Sequence, residues 1–144
     1  MSLFDRLQGE RTKKLTEEKE KGAQFLAKNK NAGGVTTLPE GVQYKITEEG
    51  TGKQPSVSSL IEAHYAGRLL DGKEFDSSFR RNQPFQARVN QLIKGWQLVL
   101  PLMKEGSRCT LWVPSELGYG DNGVPGIPGG AVLEFEIQLL KVLS

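Results

Sequence analysis

The sequence is poor in the residues on which most enzyme chemistry depends. Its 144 residues hold one cysteine, Cys109, and one histidine, His64. A single cysteine excludes an internal disulfide and a cysteine-ligated zinc site. A single histidine removes most zinc centres and the Ser-His-Asp constellation. No metal and no cofactor is therefore expected. Long apolar runs are also missing, and nothing approaches the roughly eighteen residues of a membrane-spanning helix. The opening segment is too charged to read as a secretory signal. A basic concentration is missing too. Residues 1–30 carry eight Lys/Arg and five Asp/Glu, about +3, and the remainder carries eleven and twelve, about −1, which together make the net +2. Nucleic-acid binding requires a clustered basic face, so no nucleic-acid partner is expected.

What remains is an ordinary soluble composition, 37% hydrophobic and 25% charged, at a length that suits one domain with an appendage. Residues 1–30 read as a charged helical arm. They lack proline and are rich in Lys, Glu, Leu, Gln and Ala, all good helix formers. Glu17 and Lys21 stand at the favourable i, i+4 spacing. The apolar stripe is thin (Leu3, Phe4, Leu7, Leu15, Phe25, Leu26), so the arm is expected to be solvated or to touch a partner chain at a few points. Residues 31–41 contain Gly33, Gly34, Pro39 and Gly41 and read as a linker.

From residue 42 to 144 the hydrophobic period is two. Strands are expected at 42–46, 59–69, 84–89, 108–114 and 131–143, with Asp71-Gly72 as a hairpin turn. In the last of these, Leu133, Phe135, Ile137 and Leu139 alternate with Glu134, Glu136 and Gln138. One short helix is expected within 90–103, capped by Asn90 and ended near Leu100 by Pro101. Alternation places His64 on the face opposite Tyr65, at the surface. Cys109 reads as a small core residue. The fold class is α+β: an antiparallel sheet of about five strands with one short helix packed across it and a helical arm in front.

The stretch LGYGDNGVPGIPGG, residues 117–130, contains a G-x-G-x-x-G spacing at Gly118, Gly120 and Gly123. A dinucleotide turn needs a helix immediately after it to present amides to phosphate. Here two prolines and further glycines follow, so a nucleotide site is excluded. The segment is an irregular loop. It reads either as a surface loop pinned by Tyr119 and Ile127, or as a flap over an apolar pocket.

Three separated stretches carry a resemblance. HYAGRLLDGKEFDSSFRRNQPF (64–85), LIKGWQLVLPLMKEGSR (92–108) and LGYGDNGVPGIPGGAVLEFEIQLLKV (117–142) resemble the FK506-binding protein family of peptidyl-prolyl cis-trans isomerases. The match runs over about residues 40–143. Residues 17–46 are similar to the helix-to-domain junction of the family's bacterial branch typified by the macrophage infectivity potentiator. The resemblance implies a strongly twisted antiparallel sheet wrapped around the short helix. It implies a pocket with Trp96 as its floor, aromatic walls from Tyr65, Phe75, Phe85 and Phe135, and sides from Leu92 and Ile93, the Ile93 amide being offered to a ligand carbonyl. Asp76 would stand at the rim, held by Tyr65 and Arg81, and Tyr119 and Ile127 would come from the flap. The residues themselves also allow Asp76 to be a turn former and the aromatics to be plain core.

The implied activity is rotation about X–Pro bonds in proline-containing peptides and unfolded protein clients. FK506- or rapamycin-type macrolides would be inhibitors. The same pocket would also serve a non-catalytic proline-binding or chaperone module. The branch further implies a homodimer through the arm and a place in the bacterial cell envelope or periplasm, with a cytoplasmic location as the alternative. One departure is visible: Gly129-Gly130 follows the Ile-Pro of the flap, where relatives often carry a proline and a polar residue. Greater flap freedom is expected from it.

Overall fold

The computed structural model describes residues 2–144. Helix α1 spans Leu3–Asn29, and the Ser2 hydroxyl caps it by accepting from the Asp5 amide at 3.1 Å. Seven strands follow: β1 (Thr36–Thr37), β2 (Gln43–Glu48), β3 (Leu60–Leu69), β4 (Glu74–Ser77), β5 (Phe85–Arg88), β6 (Arg108–Val113) and β7 (Leu133–Val142). A short helix α2 (Ser78–Arg81) lies between β4 and β5, and α3 (Lys94–Val99) lies between β5 and β6. The sheet order is β1-β2-β6-β7-β3-β4, with β5 pairing β3 beyond the end of β4. Every pairing is antiparallel.

The expected strands are all present. β4 is the second strand of the hairpin that the Asp71-Gly72 turn implies. The sheet also gains β1, a two-residue pairing inside the expected linker that is too short to show alternation.

The core lies between the inner face of the sheet and α3. Ile61, Leu111, Leu133, Ile137 and Leu139 come from β3, β6 and β7, and Val99, Leu100 and Met103 from the helix and the turn after it; all are fully buried. Cys109 is among them, and burial pushes its thiol up to about 12. It is a packing group with no thiolate at neutral pH.

The helix is shorter than the sequence implies. Asn90 does not cap it. Val89–Gln91 form a 3-10 turn, the chain extends through Leu92, and Ile93 is the residue at the N-terminal boundary of α3. The reason is tertiary: the Val89 and Asn90 amides donate to the Ser59 and Val57 carbonyls, which ties this segment to the chain before β3. The end falls where expected, with a 3-10 turn over Leu100–Leu102 around Pro101.

The arm differs most from expectation. Its second half lies on its own domain. Gln43, 3% exposed, donates through Nε2 to the Leu26 carbonyl at 2.9 Å and accepts from Asn29 Nδ2 at 2.8 Å. Phe25 packs against Trp112 with ring centroids 6.4 Å apart. Trp112 points to the outer face of β6, as alternation requires, yet it is only 8% exposed because the arm lies over it. The arm's start stays in solvent, with Leu3 and Phe4 exposed.

Candidate functional site

Antiparallel register brings distant aromatics together. On β7 the residue opposite Gly67 of β3 is Phe135, and the residue opposite Tyr65 is Ile137. β4 folds back on β3 so that Gly67 faces Asp76. Ala63 of β3 faces Phe85 at the start of β5. Position 67 has to be glycine for packing reasons: a Cβ there would lie 2.5 Å from the Phe75 ring and 2.9 Å from the Phe135 ring. Crossing beneath these strands, α3 raises Trp96 into their midst.

Trp96 is the centre of the resulting cluster. Its ring lies 5.3 Å from Tyr65, 5.2 Å from Phe135 and 5.8 Å from Phe85. Phe75 stands edge-on to Phe135 at 5.7 Å, and Tyr65 edge-on to Phe85 at 5.2 Å. Most of these contacts are T-shaped, the favourable arrangement for ring quadrupoles. The rings fix one another and leave a cavity of about 220 Å³ between them, lined by Tyr65, Phe75, Asp76, Phe85, Leu92, Ile93, Trp96, Tyr119 and Phe135. The Trp96 indole nitrogen is buried without a hydrogen-bond partner. The Ile93 amide has no protein acceptor among the described residues.

The rim carries the charge. Asp76 accepts hydrogen bonds from the Tyr65 hydroxyl and the Arg81 guanidinium, and from the Ser77 amide at 2.9 Å. Helix α2 is what brings Arg81 round: the Ser77 hydroxyl caps it, accepting from the Arg80 amide at 3.1 Å. Burial alone would raise the Asp76 pKa, but the hydrogen bonds from Tyr65 and Arg81 outweigh it and hold the carboxyl below its ordinary value. The Tyr65 hydroxyl is pushed up, first by burial and then by the carboxylate it serves. The pair is therefore a carboxylate and a neutral phenol across the whole physiological range.

A lowered carboxyl pKa fixes the sign of the pH response. The charge contributes fully above the ordinary carboxylate value and is lost as pH falls through the lower, folded value. If Asp76 acts as a fixed charge, the rate of a reaction in this cavity should be flat from about pH 5.5 to 8.5 and should fall only below about pH 4. A bell centred near neutrality would contradict this and indicate proton transfer.

Two of the expected site residues are not in the lining. Arg81 stays outside as the brace of Asp76, the role it was expected to have. Ile127 is 6% exposed and packs in the same core cluster as Trp96 and Phe135, without being among the residues that line the cavity. A backbone pair with Val124 holds it there, each amide donating to the other's carbonyl at 2.9 and 3.1 Å. Tyr119 alone, 38% exposed, is delivered to the cavity edge.

His64 does point away from Tyr65, but it is half-buried, stacked on Phe79 at 4.8 Å. Its Nδ1 lies 2.9 Å from the hydroxyl of Ser78. Ser78 supports the site without being legible in the sequence. It is fully buried and accepts from the Tyr65 amide at 2.7 Å, so it pins the backbone that carries the rim tyrosine. A buried serine inside a Ser-Ser turn gives no signal of this kind in sequence.

Comparison with known proteins came to the same region. Residues 51–140 match the family model described as FKBP-type peptidyl-prolyl cis-trans isomerase, and residues 1–46 match the domain amino terminal to it. The chain is 42% identical over 124 residues to the peptidyl-prolyl cis-trans isomerase Mip of Coxiella burnetii, covering 85% of this chain and 54% of that protein. It is 40% identical over 141 residues to the outer membrane protein MIP of Legionella longbeachae, covering 97% and 60%. The crystal structure of FkpA from Escherichia coli superposes with a TM-score of 0.90 at 38% identity, covering 94% of this chain and 63% of that one. A peptidyl-prolyl cis-trans isomerase structure from Pseudomonas syringae gives 0.82 at 34%, covering 88% and 94%. The chain thus spans about half the length of the curated relatives it matches.

Proposed function

Because the chain belongs to the FKBP-type peptidyl-prolyl cis-trans isomerase family, we propose that its aromatic cavity catalyses rotation about X–Pro bonds in peptides and in unfolded protein clients. The observation that carries this reading is the ring cluster around Trp96 with a braced Asp76–Tyr65 pair at its mouth.

The chemistry needs no bond to break. Rotation about X–Pro faces a barrier of about 18–20 kcal/mol because the amide has partial double-bond character. At the twisted transition state that resonance is lost. The carbonyl carries less negative charge than in the planar amide. An apolar wall favours this less dipolar state over the planar one, and each 1.36 kcal/mol of difference is about tenfold in rate. In this reading Trp96, Phe85, Tyr65 and Phe135 hold the proline ring, with Phe75, Leu92 and Ile93 closing the sides. The Tyr119 hydroxyl donates to a substrate carbonyl. The Asp76 charge acts on the twisting carbonyl carbon without taking a proton.

A protease-free isomerisation assay on a prolyl tetrapeptide tests the reading, with an FK506-type macrolide as competitor. Rate enhancement abolished by the macrolide is expected. Binding of the macrolide without rate enhancement would leave only the alternative, a proline-binding or chaperone module.

The remaining readings rest on resemblance. The arm's exposed Leu3, Phe4 and Leu7 support a homodimer through the N-terminal segment, beyond the part of the arm that lies on its own domain. Light scattering of the chain with Phe4 and Leu7 both replaced by glutamate should then report a monomer where the parent reports a dimer. A place in the bacterial cell envelope or periplasm is supported by the relative named an outer membrane protein. No helix among the described residues is long and apolar enough to cross a membrane.

A further inference from the structure

One face of α1 meets the flap. Leu15, Lys19, Gly22 and Leu26 follow at intervals of four, three and four, which places them on a single stripe of the helix. Lys19 Nζ lies 2.8 Å from Asp121 Oδ1 at the outer turn of the flap. Gly130, at the flap's far end, sits directly against the same turn of helix. A Cβ there would be 2.9 Å from Leu15 Cδ1 and 3.0 Å from Lys19 Cγ, and its φ of +78° already favours glycine. Gly22 then lets the helix close on Val132: a Cβ at 22 would be 2.6 Å from Val132 Cγ2.

The glycine pair that looked like a source of freedom has a packing role. Gly130 makes room for the arm. Gly129 lies so close to the Asp121 backbone that a Cβ would reach 1.8 Å from its carbonyl oxygen. The Gly130 amide donates to the Gly120 carbonyl at 3.0 Å, closing the flap's two ends on each other, with Tyr119 next to that closure.

From these contacts we infer that α1 is a positioning element of the pocket: its Leu15–Lys19–Gly22 face clamps the flap so that Tyr119 is held at the cavity mouth before substrate arrives. The inference rests on the isomerase reading above and adds the arm to it. A flap held in its bound geometry costs less to order on binding. An unseated arm should therefore weaken substrate binding more than it slows the chemical step. The ion pair is exposed on both sides, 49% and 57%, and such pairs add little stability. Its role here is to fix register, and the glycine seats supply the close packing.

The test uses the full chain and four variants beside the parent. Gly22→Ala is decisive, because alanine favours the helix itself while its methyl overlaps Val132. Gly9→Ala is the control on the same helix, since nothing lies within 4 Å of its would-be Cβ. The other two are Lys19→Asp alone and combined with Asp121→Lys. Amide hydrogen exchange across residues 118–130 reports the flap without reference to catalysis, and kcat and KM are measured separately on a prolyl tetrapeptide. Gly22→Ala should speed flap exchange roughly tenfold and raise KM about three- to fivefold with kcat within about twofold. Gly9→Ala should change neither. Lys19→Asp should raise KM by about twofold, and the double reversal should restore it. If Gly22→Ala does not fold, the charge-reversal pair decides by itself.

Flap exchange equal to that of Gly9→Ala, or faster exchange with KM unmoved, overturns the inference. So does a Lys19→Asp effect that the reversal fails to rescue. A parent chain with no isomerase activity overturns the reading of the pocket and this inference with it. An active parent with unresponsive variants overturns only this inference.

Discussion

Phe135→Leu is expected to lower kcat/KM on a prolyl tetrapeptide by about tenfold to a hundredfold while the chain stays folded. The ring is 3% exposed and stands edge-on to both Trp96 and Phe75. Each such pair adds about 0.5–1.5 kcal/mol beyond the area it buries. Leucine keeps the position apolar but supplies no ring edge to either neighbour. The pocket floor and one wall then lose the contact that fixes their planes, and a proline ring held between them loses its definition. If most of about 1–3 kcal/mol is expressed in the twisted state, the rate falls by the stated range. Stability should fall by less, about 1–2 kcal/mol, since a buried apolar side chain is retained. Rates measured well below the midpoint of thermal unfolding separate the two effects. A kcat/KM within twofold of the parent would remove Phe135 from the pocket's working wall.

Leu139→Ala should do the reverse. Leu139 lies on the same strand and the same face, two alternations farther along, opposite Ala63, and it is fully buried. It does not line the cavity. Deleting its side chain leaves a void in the core, at a cost of about 2–5 kcal/mol. That is a large fraction of the roughly 5–15 kcal/mol that keeps a domain folded. The urea midpoint should drop markedly with the slope unchanged. Below the midpoint, kcat/KM should remain within about threefold of the parent. Two residues on one face of one strand would then separate fold from function: one packs beneath the sheet, and the other packs where the sheet opens. Equal losses of rate in both variants would mean that general loosening of β7, and no specific wall, controls catalysis.

Much of this site is legible in the sequence because it depends on short-range rules. Alternation alone sorts Phe135, Ile137 and Leu139 onto one face. The Asp71-Gly72 turn returns the chain, and the prolines after Gly123 exclude a phosphate-binding helix. The convergence of Tyr65, Phe75, Phe85, Trp96 and Phe135 is not local. Similarity of three separated motifs to a known family implied it, and strand register accounts for it, by setting Gly67 opposite both Asp76 and Phe135.

The departures from expectation share a tertiary cause. Asn90 has the chemistry of a cap, but its amide is taken by the Val57 carbonyl thirty-three residues away in sequence, so a 3-10 turn replaces the first turn of helix. Ile127 pairs with Val124 across a two-residue turn and packs in the core cluster, a placement that residue type alone does not give. Alternation gives His64 only a side, and it is the tertiary fold that lays Phe79 over that side.

Composition and periodicity establish the α+β class, the strands long enough to alternate and the polar character of the arm. Those follow from composition and from periods of two and 3.6, which need no knowledge of the rest of the chain. Where the arm goes depends on contacts that form only in the folded chain. Its docking residues include Leu15, Lys19, Gly22, Phe25 and Asn29, and the residue that permits closest approach is a glycine, which adds nothing to an apolar stripe. A helix that docks through a missing side chain leaves little hydrophobic signal, and its partner surface exists only once β6, β7 and the flap have been brought together by pairings distant in sequence.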